Sequence, residues 1–580
     1  MSPFNINYQR AKYPNLEELG VTDVQAYNPL YDRFFKLDES TYNLLALNHT
    51  IQVADIAPPL ESQVFVKFSP LLDPLNFLRG KYDLESTKVR ALPQWGDTSA
   101  NVLTKMLDPN NSSYVDAFFC FLTSKLKETH GFVHGLDFYG SFLAKQQRFK
   151  YNIVDDLEYL MKCPDFSKNL NKHYSVDKEV FDIINEYDGV SSRRNKNKLD
   201  IGEDVDLGIV EASVDEATSR ETTFSLDKGM SDESLMIESE SLDTMVLEYE
   251  NPGTNALDLE SSDDSDSDAN DDSDSKSNDK SSSSSCSSNS SCSSNDESSN
   301  NESDANDDFS SSSSDTTVSM ESEWETESES ESESDSESIE YEEDDTMFSY
   351  LYDFPVQLIF QERCAGTLDE LVMTRKLKGQ QLIDAFAQIA LILATYQRIF
   401  EFTHNDLHTN NIMWVPTDKE FLFYKLDNNI YKVPTHGRIF KLIDFGRAIY
   451  KYNGKLFCSD SFSSSGDAAT QYNCEPYFNA AKPRIDPNTS FDLCRLGCSL
   501  LDFVKKPEVE TIVADWCNDD AGKSVLYKSN GQERYPDFKL YKMIARTVHH
   551  LVPEKQEFLR DYIVSEDQVT EIMDIDNIMS

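Results

Sequence analysis

What most limits how this chain can fold is a long stretch that excludes itself from any core. Between Ser231 and Thr346 there are 38 Asp and Glu residues against two basic ones, Lys276 and Lys280. That stretch carries −36 of the chain's net charge of −51. Apolar side chains are too sparse here to offset the entropy of ordering a backbone, so the composition predicts disorder. The bias begins near Asn185 and is most extreme in the Ser-rich run Ser281 to Ser294 and the Glu-Ser alternation from Glu321 to Ser338. Whatever folds must therefore be assembled from the segments on either side of an insert spanning 185–346.

The 10 cysteines are scattered, and Cys286 and Cys292 lie inside the Ser-rich run, where no packed framework could align them for a bridge. Reduced thiols in an intracellular setting fit this usage. Cys494 and Cys498 stand four apart on an expected helix, but no Cys-x-x-Cys pair occurs, so they read as small buried side chains rather than metal ligands. No apolar run reaches the ~18 residues that span a bilayer. Met1 to Asn15 lacks the basic start and apolar core of a secretory signal. The expectation is a soluble intracellular protein, outside the membrane. Its acidity argues against direct nucleic-acid binding, which needs clustered Lys and Arg on the phosphates. The acidic insert would instead suit basic partners.

Taken in order, residues 1–58 mix aromatics with turn formers and show no sustained periodicity, reading as an amino-terminal extension. Gln63-Val64-Phe65-Val66-Lys67-Phe68-Ser69-Pro70 is rich in β formers and predicts a strand carrying Lys67. From Ser113 to Lys127, apolar residues at Val115, Phe118, Phe119, Leu122 and Leu126 predict an amphipathic helix. A strand is expected over Phe132 to Gly140. After the insert, Phe354 to Leu371 reads as a strand, a Gly-containing turn and a helix start. Gln381 to Phe400, with Leu382, Phe386, Ile389, Leu393, Tyr396 and Phe400 in steps of four and three, predicts a well-buried helix.

That helix leads into Phe402-Thr403-His404-Asn405-Asp406-Leu407-His408-Thr409-Asn410-Asn411, and a later strand leads into Ile443-Asp444-Phe445-Gly446. Phosphoryl transfer asks little covalent chemistry of a protein. It needs a carboxylate to orient the attacking hydroxyl, and a carboxylate and amide to hold magnesium. Asp406, Asn411 and Asp444 are the required types at the spacing of such motif sets. Between Asp406 and Asp444 a long hairpin is expected near Asn428-Asn429. His404 reads as a buried scaffold residue rather than a base.

In these motifs the chain resembles the protein kinase superfamily over about 60–160 and 347–550. Its closest likeness is to the serine/threonine-protein kinases of large cytoplasmic DNA viruses. Phe65 to Pro74, Gly466 to Phe478 and Ser490-Phe491-Asp492-Leu493-Cys494-Arg495-Leu496-Gly497 carry that likeness. The resemblance implies an α+β, two-lobed protein kinase-like fold with the disordered acidic insert in the small lobe. The small lobe would comprise 59–184 and, with the last strand and hinge, 347–375; the large lobe 376–560; and a tail 561–580. It implies ATP and Mg2+ as cofactors, with Lys67 on the α- and β-phosphates, Asp406 catalytic, and Asn411 and Asp444 on the metal. Backbone groups from Glu362 to Cys364 would face the adenine. An acid should pair with Lys67, with Asp116, Glu85 and Glu128 as candidates. Asp492 would tie the Asp406 loop to its supporting helix, unless it is simply a helix N-cap. The likeness also implies the cytoplasm of an infected host cell, with packaging in the virion as an option.

The chain departs from the family's pattern in several places. No Gly-x-Gly-x-x-Gly precedes Lys67, and Asn405 stands in place of the usual Arg. His408 takes the place of a Lys, a pattern shared with atypical and small-molecule kinases, and Cys474-Glu475-Pro476 occupies the position of Ala-Pro-Glu. The implied activity is transfer of the γ-phosphoryl group of ATP to protein serine or threonine. A small-molecule kinase and a catalytically weak interaction protein stay open beside it. Serines flanked by acids in the insert suit acid-directed kinases, and a solvated spacer is the plainer reading.

Overall fold

The computed structural model describes residues 3–56, 63–184, 346–566, 569 and 571–578. The insert expected to be disordered, 185–346, lies outside the described residues but for Thr346 at its far edge. The architecture is α+β.

Its β part is an antiparallel sheet. Four main strands lie in the order β1 (Val21–Gln25), β3 (Phe138–Asn152), β4 (Phe348–Glu362) and β2 (Val64–Pro70), and the short strand Tyr174–Val176 also pairs with β4. The stretch read as an amino-terminal extension thus supplies an edge strand, Val21 pairing with Gln146. With five residues and an irregular register, β1 is too short for period-2 alternation to reveal it. The central β3–β4 ladder runs from Phe138 opposite Gln361 to Asn152 opposite Phe348. That register brings the two ends of the intervening 195 residues together at one end of the ladder, a geometry that tolerates long insertions at small entropic cost.

Helix α1 spans Ser112–His130, opening on Asn111, whose side chain accepts the Ser113 N–H, and closing on Gly131 in the left-handed region (φ 67°). Gly is suited to that cap because it has no Cβ to clash. The strand expected from Phe132 begins only at Phe138. Gly135 explains the delay: a Cβ there would lie 2.1 Å from the Thr123 carbonyl oxygen, so the chain packs against the backbone of α1 before it can extend.

Helix α2 (Gln380–Phe400) is long and apolar enough to cross a membrane by length and composition, contrary to the expectation that no such run exists. Nearly all of it is buried inside the protein, as for a core helix. It stops at Glu401 in the left-handed conformation, and Thr403 then pairs with Ile449 through two backbone hydrogen bonds of 2.9 and 3.0 Å. Strands β5 (Ile412–Pro416) and β6 (Arg438–Leu442) pair antiparallel, Ile412 opposite Leu442. The interval between them holds a second ladder, Phe421–Leu426 with Asn429–Pro434, turning at Asp427-Asn428, both at positive φ as a tight hairpin requires. Helices α3 (Phe491–Leu500), α4 (Pro507–Trp516) and α5 (Lys539–Thr547) follow.

One apolar core joins the helices to the sheet. Phe119 of α1 stacks on Phe402 (centroids 4.4 Å, 14°) and meets Phe445 edge-on at 4.8 Å. Aromatic contacts of this kind add to the area they bury. They also fix α1 against both loops that carry the motif residues.

Candidate active site

Lys67 lies in the middle of β2, opposite Ile359 of β4. Its Nζ is 2.6 Å from Asp116 Oδ2 and 2.9 Å from Asp444 Oδ1. Of the three acids considered for Lys67, Asp116 is therefore the one beside it. Glu85 contacts His173, and Glu128 accepts the Thr50 N–H and pairs with Lys125. Asp116 is almost fully buried, and its Oδ1 accepts the Phe445 N–H at 2.9 Å. One carboxylate of α1 thus holds both Lys67 and the residue after Asp444.

The three charges act on one another. Burial pushes the Lys67 ammonium down, but Asp116 and Asp444 outweigh it and raise its proton affinity. Burial raises the Asp116 carboxyl, against Lys67. For Asp444, whose side chain is half exposed, the pull of Lys67 overcomes desolvation and holds the carboxyl below its usual range. Asp444 is left-handed (φ 63°), as Asp tolerates better than most residues, and its carboxylate faces the Gly446 N–H at 3.5 Å.

The loop after α2 is held from below. Asp492, wholly buried in the first turn of α3, accepts the backbone N–H groups of His404 and Asn405, both at 2.9 Å. It caps the loop and not its own helix, whose N-cap position is Ser490. His404 is buried, its Nε2 2.9 Å from the Ile443 carbonyl, so it ties the Asp406 loop to the Asp444 strand. Asn405, at φ 66°, donates to the Arg447 and Thr403 carbonyls and accepts from the Tyr472 hydroxyl at 2.7 Å. The Asn405 side chain is therefore spent on short polar contacts around the turn.

Asn411 Nδ2 donates to the Asp406 carbonyl at 2.9 Å and to His408 Nε2 at 3.1 Å. Since an amide NH2 can only donate, His408 Nε2 is the acceptor and the ring is neutral; burial lowers its proton affinity in the same sense. Among the described residues nothing donates to Asn411 Oδ1, which leaves that oxygen for a ligand. No group of three His, Cys, Asp or Glu side chains encloses a metal position among the described residues. A hard cation here would rest on Asp444 and Asn411 oxygens and complete its shell with phosphate and water, the usual manner of magnesium.

Asp406 makes two side-chain contacts. Its Oδ1 accepts the Tyr541 hydroxyl at 2.7 Å, and its Oδ2 lies 3.3 Å from Arg447 Nη1. Arg447 in turn bonds Asp467 at 2.6 Å. Sequence reading missed Tyr541, 135 residues from Asp406 in no recognised spacing, and gave no role to Asp467, although it lies in the Gly466 to Phe478 stretch. Arg447, directly after Gly446, could have been found by its charge beside the motif.

At the other side, β4 ends at Glu362, whose carboxylate pairs with the buried Lys441 at 2.7 Å. Beyond it the Ala365 N–H bonds the Trp414 carbonyl, joining the sheet to β5. β2 is the sheet's edge, and among the described residues no strand lies outside it. No known family model matches the chain, and no curated protein matches it.

Proposed function

We propose that this protein is an ATP- and magnesium-dependent kinase of the two-lobed protein-kinase type, transferring the γ-phosphoryl group to serine or threonine hydroxyls of proteins. The observation that carries the reading is the placement of Lys67 between Asp116 and Asp444, with Asp406 and Asn411 on a loop anchored by Asp492. In this reading the sheet is the small lobe, α2 to α5 form the large lobe, and the Glu362 to Ala365 connection is the hinge.

Each residue then has a task. Lys67 binds nucleotide phosphate and is kept charged and oriented by Asp116. Asp444 and Asn411 hold magnesium, which neutralises charge on the phosphates. Asp406 orients the acceptor hydroxyl and receives its proton, while the hydroxyl oxygen bonds the γ-phosphorus and the bond to the departing nucleoside diphosphate breaks. Asp492 costs burial of a charge, and two backbone N–H groups compensate it.

The edge position of β2, together with the missing glycine loop, favours a second reading, a weak or inactive kinase-like protein acting through its acidic insert. Incubation with γ-labelled ATP, magnesium and a mixed protein fraction separates the readings. Label on protein hydroxyls is the expected result. Label confined to small solutes points to a small-molecule kinase, and no transfer at all sinks the catalytic reading.

A further inference from the structure

Tyr541 sits on α5, 135 residues from Asp406 in sequence, yet its hydroxyl is 2.7 Å from Asp406 Oδ1. The same hydroxyl is 2.9 Å from Arg495 Nε. An arginine N–H has no acceptor capacity, so Arg495 donates to the phenol oxygen, and the phenol proton is left for Asp406. The direction of the hydrogen bond is thus set by Arg495. The ring is also clamped. Phe538 stacks on it at 5.4 Å and 22°, Phe491 lies at 6.2 Å, and the guanidinium carbons of Arg495 and Arg447 approach its centroid at 5.0 and 5.7 Å. Cation–π contacts on a partly desolvated ring add to its rigidity.

The two oxygens of Asp406 are therefore not equivalent. Oδ1 is engaged by a fixed donor, whereas Oδ2 has a longer contact, 3.3 Å, with an Arg447 that is already committed to Asp467 through Nη2 at 2.6 Å and Nε at 3.2 Å. Resting on the proposed phosphoryl transfer, we infer that Tyr541 is a positioning residue for Asp406: it pins Oδ1 and leaves Oδ2 as the oxygen that meets the acceptor hydroxyl. The family's catalytic lysine position is occupied by His408, whose Nε2 is turned to Asn411, so the orientation of Asp406 falls to Tyr541 and Arg447 instead. Burial and the neighbouring Asp406 raise the proton affinity of the phenol, against Arg495, which keeps it a donor at neutral pH.

Tyr541→Phe removes the hydroxyl and keeps the ring. With γ-labelled ATP and the protein fraction labelled by the wild type, kcat should fall about ten- to hundredfold while KM for ATP stays within about twofold, the signature of a misplaced carboxylate. An unchanged kcat overturns the inference. A higher kcat also overturns it, because Tyr541 would then be blocking the acceptor's place. Thermal unfolding of Tyr541→Phe, Asp406→Ala and the double variant reads the contact without turnover. The double variant should lose less in Tm than the two single losses together, and strict additivity overturns the contact. A wild type that transfers nothing, yet shows that coupling, overturns the kinase reading and the positioning role with it but leaves the contact standing.

Discussion

Asp116 accepts the backbone N–H of Phe445 at 2.9 Å across 329 residues of chain. The bond makes α1 a strut between Lys67 and the Asp444 turn, since the other oxygen of the same carboxylate holds the lysine. Asp116→Ala should cost about 2 kcal/mol in urea unfolding, because a buried N–H loses its acceptor and Lys67 keeps only Asp444. Asp116→Asn keeps an acceptor for Phe445 and should cost less than half as much while still lowering phosphoryl transfer more than about tenfold. Equal losses of stability from both variants would contradict the strut.

Asp444→Asn removes the carboxylate charge, and Asn411→Ala the amide oxygen, that the proposed function gives to magnesium. Each should lower transfer from γ-labelled ATP by about a hundredfold or more. Retention of wild-type rates in either variant would refute its metal role.

Asp492→Ala orphans the His404 and Asn405 amides inside the protein. A loss of about 3 kcal/mol is expected, measured by chemical denaturation, with transfer falling in parallel because the Asp406 loop loses its anchor.

His134 is wholly buried, with Nδ1 2.7 Å from the Phe440 carbonyl and Nε2 2.6 Å from the Tyr424 hydroxyl. Burial pushes its pKa from 6.5 down to about 3. Above pH 6.5 both states are neutral and its contribution is complete. As the pH falls below 6.5 the unfolded chain takes up a proton that the native ring refuses, so stability is lost progressively towards about 3. Compared with His134→Asn, the wild type should lose about 1.4 kcal/mol more per pH unit between pH 6 and 4, read from urea midpoints. Parallel curves for the two proteins would rule the effect out.

Gly497 packs where a Cβ would lie 2.7 Å from Trp516 Cβ and 3.3 Å from Cys517 Sγ. Gly497→Ala should therefore destabilise the α3–α4 contact by about 1–2 kcal/mol despite the better helix propensity of alanine, a net loss visible in the melting temperature.

How far these elements could be read in advance follows from the range of the forces behind them. Helix α2 was legible because its apolar residues repeat over five turns, and the Asp427-Asn428 hairpin because turn chemistry is local. Helix α1 was found in outline but runs from Ser112 to His130, its ends set by Asn111 and Gly131. Strand β1 was missed, since its five residues bury only Val21 and the polar Gln25 and leave no periodic trace. Asp406, Asn411 and Asp444 were singled out by type and spacing, whereas Lys67 was singled out through the family resemblance.

Amino-acid order by itself determined which segments carry periodic apolar faces, which stretch is too acidic to be expected in a core, and which polar residues have the types and spacing that suggest phosphoryl transfer. The choice of Asp116 over Glu85 and Glu128, the seat of Asp492 under the loop, and the clamp of Tyr541 on Asp406 were decided only by the tertiary structure. Those contacts join residues 49, 87 and 135 positions apart, and such pairs meet through packing of whole helices, which no local spacing encodes.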